Sequence, residues 1–139
     1  METHCETIER KTSADTDIHD ITSDVARVVS ESGVSAGIVC VSVPGSTASI
    51  TTIEHESGAL HDLTQAIDRI APRDMHYDHD ARWGDGNGYS HVRAALLGPS
   101  MSVPIQDAHP VLGTWQQIVL CDFDNRPRTR QIVIQVVGK

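Results

Sequence analysis

Residues 131–137 read QIVIQVV, a run in which five of seven residues are β-branched. Branching at Cβ stiffens the side chain and suits a pleated strand, so a strand is expected over 130–137. Upstream, LGTWQQIVL (112–120) leads into a strand at 116–123, and a further strand is expected at 100–105. The stretch VSAGIVCVSV (34–43) reads as a central strand that Pro44-Gly45 ends, and STASITTIE (46–54) reads as its return. Weak alternation over 6–13 predicts a first strand. Helical spacing is confined to two longer stretches. Val25, Val28 and Val29 follow an N-cap at Thr22 or Ser23 and stop at Gly33, whereas Leu60, Leu63, Ile67 and Ile70 form one stripe before Pro72. A short helical turn is expected from His91 to Leu97, and 73–90 reads as a long polar loop. Strands outnumber helices and hairpin-like connections recur. The expectation is one α+β domain over 1–139, a mostly antiparallel sheet or sandwich with two main helices.

The charge balance narrows the function classes. Eleven Lys and Arg against nineteen Asp and Glu give a net charge of −8. Clustered cations for phosphate backbones or anionic lipid are missing, which argues against nucleic-acid and membrane partners. No apolar run reaches the roughly 18 residues of a membrane span and the first residues do not read as a signal peptide, so a cytoplasmic protein is expected. Only Lys11 and Lys139 are lysines, and Asp outnumbers Glu thirteen to six. Such an acid-rich, Lys-poor surface suits concentrated salt, which screens self-repulsion. Cys5, Cys40 and Cys121 lack C-x-x-C spacing; Cys40 and Cys121 read as small buried residues within apolar strands.

The polar loop is the richest in chemistry. His76 and His79 form H-x-x-H beside Asp78 and Asp80, with Asp85 and His91 beyond. Imidazoles and carboxylates together suit a divalent metal, zinc-like or Mg²⁺, or an acid–base pair; a merely solvated loop would look the same. Gly84, Gly86 and Gly88 allow the chain to fold back and bring His79 and His91 to one centre, with Asp85 or Glu54 nearby and Asp80 orienting His79. Elsewhere, the Gly45-Ser46-Thr47 turn can offer hydroxyls and N–H groups to an anion. Thr114, Trp115 and Gln116 can supply an aromatic wall and an amide, or Trp115 can simply pack. Arg126, Arg128 and Arg130 suit phosphate contact or a charged hairpin.

Together, LGTWQQIVL, YDHD (77–80), SHVRAALLGPSMSVP (90–104) and the last strand after TR resemble the YjbQ family over nearly the whole chain. The wording of GSTASITTIE and WGDGNG is similar to an archaeal-type branch. The resemblance implies a homotrimer of α+β subunits with a pocket at or near subunit interfaces. It also implies thiamine-phosphate synthesis, in which a hydroxymethylpyrimidine pyrophosphate is joined to a thiazole phosphate. Glu54, His79, Asp80 and His91 would be catalytic, with His79, His91 and Asp85 holding a divalent metal. Ser46, Thr47, Arg93, Thr114, Trp115, Gln116 and Arg130 would bind the phosphorylated substrate. A non-catalytic, trimeric module for a small ligand or metal is the alternative. One departure bears on both: where many members carry His-Thr-Ser-Ala, this chain reads Gly45-Ser46-Thr47-Ala48.

Overall fold

Alternation decides which side of each strand meets the core, and the burial of 131–137 obeys it. Ile132, Ile134 and Val136 are fully buried, whereas Val133, Gln135 and Val137 are only half-buried. In the computed structural model, which describes residues 1–139, this segment belongs to β8 (Arg128–Gly138). It pairs antiparallel with β1 (Glu2–Thr12) on one side and β3 (Ala36–Ser42) on the other. Beyond β3 come β5 (Ser100–Gln106) and the short β6 (His109–Pro110), giving a five-stranded sheet in the order β1-β8-β3-β5-β6. A second sheet has the order β2-β7-β4, from β2 (Asp17–Asp20), β7 (Gln117–Asp122) and β4 (Ala48–Ile53). Every ladder is antiparallel, as expected for α+β.

The main core lies between the inner faces of the sheets. Ile8, Val39, Val41, Val103 and Ile134 meet Ala48, Ile50, Ile118 and Leu120 from the smaller sheet. Helix α1 (Thr22–Ser32) closes this space with Val25, Val28 and Val29, the predicted stripe. The other side of β7 carries Val119, Cys121 and Phe123, and these pack against two helices. Helix α2 (Ser57–Ile70) contributes Ile67 and α4 (Gly88–Leu97) contributes Ala94. The layers are therefore large sheet, small sheet and helices. This leaves α4 lying along β4, where it carries the histidine of interest.

Several boundaries differ from the sequence reading. Strand β1 runs from 2 to 12 rather than 6 to 13, because it pairs along the whole of β8. Strands β2 and β6 escape notice because four and two residues are too few to show a period. Helix α2 begins at Ser57, capped by the Glu56 carboxylate, which accepts from the Gly58 and Ala59 amides. Most consequentially, the segment 73–90 is no plain loop. It holds α3 (Asp78–Trp83) and the start of α4, which opens at Gly88 rather than His91. Helix α3 buries none of its residues, so no apolar stripe could announce it. Cys40 also departs from expectation: Val39 and Val41 take the core side, leaving Cys40 half-buried on the other. Cys121 is fully buried, and burial pushes its thiol up to about 12, which makes it inert.

Candidate functional site

The turn from α3 to α4 sets the geometry. Gly84 ends α3 in the left-handed conformation, at φ 69°, and directs the chain back toward the helix it has left. The amide of Gly88, at the start of α4, then donates to Asp80 Oδ1 at 2.8 Å. A Cβ at Gly88 would come within 2.6 Å of Tyr77 Cβ and 3.0 Å of Asp80 Oδ1, so only glycine permits this approach. The two helices are thereby locked side by side. Across the seam, the rings of His79 and His91 have centroids 4.4 Å apart, tilted by 41°.

Carboxylates complete the cluster. His79 Nδ1 lies 3.5 Å from Asp85 Oδ1 and 3.8 Å from Asp80 Oδ1. That nitrogen is shielded from solvent and has no hydrogen-bond partner. Donor atoms of His79, Asp80 and Asp85 all fall within 4.8 Å of one another, a spacing that suits one cation. Asp80 thus belongs to the tightest donor group itself, beyond the orienting role expected of it, while His91 stands against the group through its contact with His79. His91 also faces a cavity of about 230 Å³ bounded by Gly45, Ser46, Ala94 and Ala95. The small-residue turn and the histidine pair, far apart in sequence, therefore share one pocket. His76 is exposed and pairs only with Asp78, at 3.3 Å, so the H-x-x-H spacing itself is not what converges.

The remaining expected residues are engaged in other contacts or lie at a distance. Arg93 is two positions from His91, about 200° around the helix, and points away from it. It is buried and held in place by three of its five N–H groups: Nε donates to the Ala71 carbonyl, Nη1 to Thr16 and Nη2 to Asp68. Arg130 is engaged along one edge only, since Nη1 has no hydrogen-bond partner and lies 3.1 Å from a Cβ placed on Gly45, which borders the His91 cavity. Its fork grips Asp122 at 2.6 and 2.9 Å, and Nη2 also donates to Thr47 Oγ1 at 2.6 Å. The Asp122 hydrogen bond raises the Arg130 pKa further, against the opposing effect of burial. Thr47 is buried and donates to Asp124 at 2.9 Å, so it holds this network together rather than offering a hydroxyl to a ligand. Arg128 pairs with Asp124 as well, at 3.0 Å, while Arg126 stays exposed.

Glu54 sits just past the far end of β4 and is exposed. Extended chain from Ala48 to Glu54 spans roughly 20 Å, which separates Glu54 from the pocket beside His91 within one subunit. The same far end carries Thr114, Trp115 and Gln116; Gln116 donates to Thr52 at 3.2 Å and accepts from the Gly113 amide at 3.0 Å. Trp115 is 73% exposed, so it neither packs in the core nor lines a cavity of its own subunit. The expected residues thus form two groups at opposite ends of the small sheet.

Sequence reasoning missed one further polar hollow, bordered by Asp15, Asp68, Arg73 and Tyr89. A signal existed. Tyr89 and Arg93 are four apart on α4, and their side chains stack with the guanidinium 4.9 Å from the ring centroid.

Fold and site together define an antiparallel α+β sandwich whose helical layer carries a histidine–aspartate cluster. The chain belongs to the UPF0047 YjbQ-like family, whose model matches residues 6–139. A UPF0047 protein of Methanothermobacter thermautotrophicus is 39% identical over 139 residues, covering 100% of this chain and 95% of the relative. UPF0047 protein YugU of Bacillus subtilis is 32% identical over 133 residues, 95% of this chain and 98% of its own length, so the likeness extends to bacteria. Among solved structures, a YbjQ-like protein of unknown function from Sulfolobus solfataricus superposes with a TM-score of 0.88 at 29% identity, covering 99% of both chains. A Clostridium acetobutylicum member of the yjbq/upf0047 family gives 0.87 at 34% identity, over 95% of this chain and 99% of the other. No helix is long and apolar enough to cross a membrane.

Proposed function

We propose that this chain is a divalent-metal-dependent enzyme acting on a small phosphorylated substrate at the His79–His91 pocket. One observation carries the reading: a shielded, unpartnered His79 nitrogen faces two carboxylates beside a second imidazole, at the rim of a cavity lined by small residues. An imidazole nitrogen without a hydrogen-bond partner is costly unless something else uses its lone pair, and the neighbouring oxygens suit a shared cation. His79, Asp80 and Asp85 would hold the ion, which when bound would supply positive charge to a phosphate oxygen. Ser46 and the Gly45–Ser46 turn would contact the rest of that phosphate, and His91 would give or take the proton.

The specific reaction proposed is the joining of a hydroxymethylpyrimidine pyrophosphate to a thiazole phosphate, with release of pyrophosphate. A homotrimer is part of the same proposal. Glu54 and Trp115 lie too far from His91 within one subunit, and a neighbouring copy would bring its Trp115 end against the exposed Val92 and Leu96 of α4. Purified protein incubated with both precursors and Mg²⁺ or Zn²⁺ is expected to form the coupled product. His79→Ala/His91→Ala protein should lose both activity and bound metal by elemental analysis. Metal content unchanged in that double variant refutes the site, and a monomer by light scattering in high salt refutes the trimer.

A second reading has its own support. Arg93 and Arg128 are engaged by aspartates and Arg130 binds Asp122 through Nε and Nη2, which leaves a single guanidinium nitrogen, Arg130 Nη1 beside Gly45, to meet a pyrophosphate. Metal bound by the wild type with no product above background would identify a binding module without turnover.

A further inference from the structure

Behind the His79 cluster, the turn from α3 to α4 is held by a side chain that belongs neither to the donor group nor to the cavity wall. Asn87 stands immediately before α4 and is 6% exposed. Asparagine at such a position commonly turns its side-chain oxygen onto the first amides of the helix, and here it does not. The side chain faces the connection from β7 to β8 instead. Its Oδ1 accepts from the Asn125 amide at 3.1 Å and from Ser90 Oγ at 2.5 Å, and its Nδ2 donates to Asp124 Oδ2 at 3.3 Å. Two donors on Oδ1 settle which way the amide points, since a flipped group would set oxygen against the fully buried Asp124 carboxylate. Asp124 is itself anchored, accepting from Thr47 at 2.9 Å, from Arg128 Nε at 3.1 Å and from the Arg126 amide at 3.1 Å.

What this anchor restrains is Asp85. With its side chain 50% exposed, Asp85 is the least buried of the three donors, and holding an exposed carboxylate in one rotamer costs entropy. Gly86, left-handed at φ 66°, turns the chain so that the Asn87 amide donates to Asp85 Oδ1 at 3.2 Å. That is the oxygen 3.5 Å from His79 Nδ1. Asn125 Nδ2 donates to the Asp85 carbonyl at 2.9 Å. Asn87 and Asn125 therefore hold each other and grip Asp85 at both its carboxylate and its backbone.

We infer, on the basis of the metal site proposed above, that Asn87 is a positioning residue for Asp85, anchored on Asp124. It sets this carboxylate against His79 without itself touching the ion. Asp124 carries the restraint across the pocket, because Thr47, which it also binds, follows Ser46 in the small-residue turn. One buried carboxylate thus keeps the ligand loop and the turn in register.

Titration of the intact protein with Co²⁺, followed by calorimetry and visible absorption, tests this. Asn87→Ala is expected to weaken Co²⁺ binding about 10–100-fold, the range for losing a group that orients a metal ligand. Asp85→Ala should weaken it as well, and Asn87→Ala/Asp85→Ala should bind no more weakly than Asp85→Ala alone, because Asn87 acts through Asp85. At saturating Co²⁺ the absorption of Asn87→Ala should match that of Asp85→Ala rather than the wild type. Asn87→Asp, which sets a second carboxylate against Asp124, should also be impaired. Asn87→Asp/Asp124→Asn, which restores the hydrogen bond with donor and acceptor exchanged, should recover part of the affinity. Val28→Ala, a core change in α1, should lower Tm and leave Co²⁺ binding unchanged. Additive losses in the Asn87→Ala/Asp85→Ala pair, or wild-type affinity in Asn87→Ala, would overturn the positioning role and leave the metal site standing. Wild-type protein that takes up no Co²⁺ would overturn both.

Discussion

Replacing Arg130 by Met removes the cation at the centre of a buried polar network while roughly keeping its volume. In the wild type the guanidinium spans Asp122 through two hydrogen bonds, and both Asp122 and Asp124 have side chains with no solvent exposure. After substitution Asp122 keeps only the Thr12 hydroxyl, at 2.6 Å, and the Asp124 amide, at 3.0 Å. Removing one partner from a buried pair typically costs about 3–5 kcal/mol, since the other charge stays desolvated. For a domain stabilised by about 5–15 kcal/mol this is a large fraction, and a fall in Tm of roughly 10–20 °C is expected. Urea unfolding followed by circular dichroism measures it. Arg130→Met/Asp122→Leu, which removes both charges, should recover part of the loss. A single variant within about 1 kcal/mol of the wild type would refute the claim that this ion pair holds β7 to β8.

Acid should act on the same network through Asp124. Burial alone would raise its carboxyl, but hydrogen bonds from Thr47, Arg128 and Asn87 outweigh this and leave it below the usual range. Its contribution is therefore complete above about pH 4 and lost as pH falls through the lowered folded value, and Asp124→Asn should flatten that acid limb in pH-dependent melting. Tyr89 is pushed up to about 12, by burial first and by its bond to Asp15 second. The stability it confers should be full below about pH 10 and decline as pH rises toward 12, visible as late phenolate absorbance that moves in Asp15→Asn. Gly88→Ala forces Tyr77 and Asp80 aside, so it should cost about 1–3 kcal/mol and reduce metal uptake, whereas Gly113→Ala, which meets only Gln116 at 3.7 Å, should leave uptake intact.

Much of the architecture was legible in local pattern. The β-branched run at 131–137, the Val25–Val28–Val29 stripe and the Leu60–Ile70 stripe each state a period, and a period is a property of near neighbours. Family membership was equally legible, because whole motifs such as GTWQ and YDHD are local text. Partnership between distant segments was not. That β8 runs between β1 and β3, and that Arg130 spends its fork on Asp122 rather than on a ligand, follow from long-range pairing that residue spacing does not encode. Arg93 illustrates the limit most sharply: two residues from His91 in sequence, it lies on the opposite side of the same helix and in a different cavity. The glycines at 84 and 88 promised a sharp return, but which carboxylates would meet His79, and which turn would face His91, was decided only when the small sheet and the helices packed.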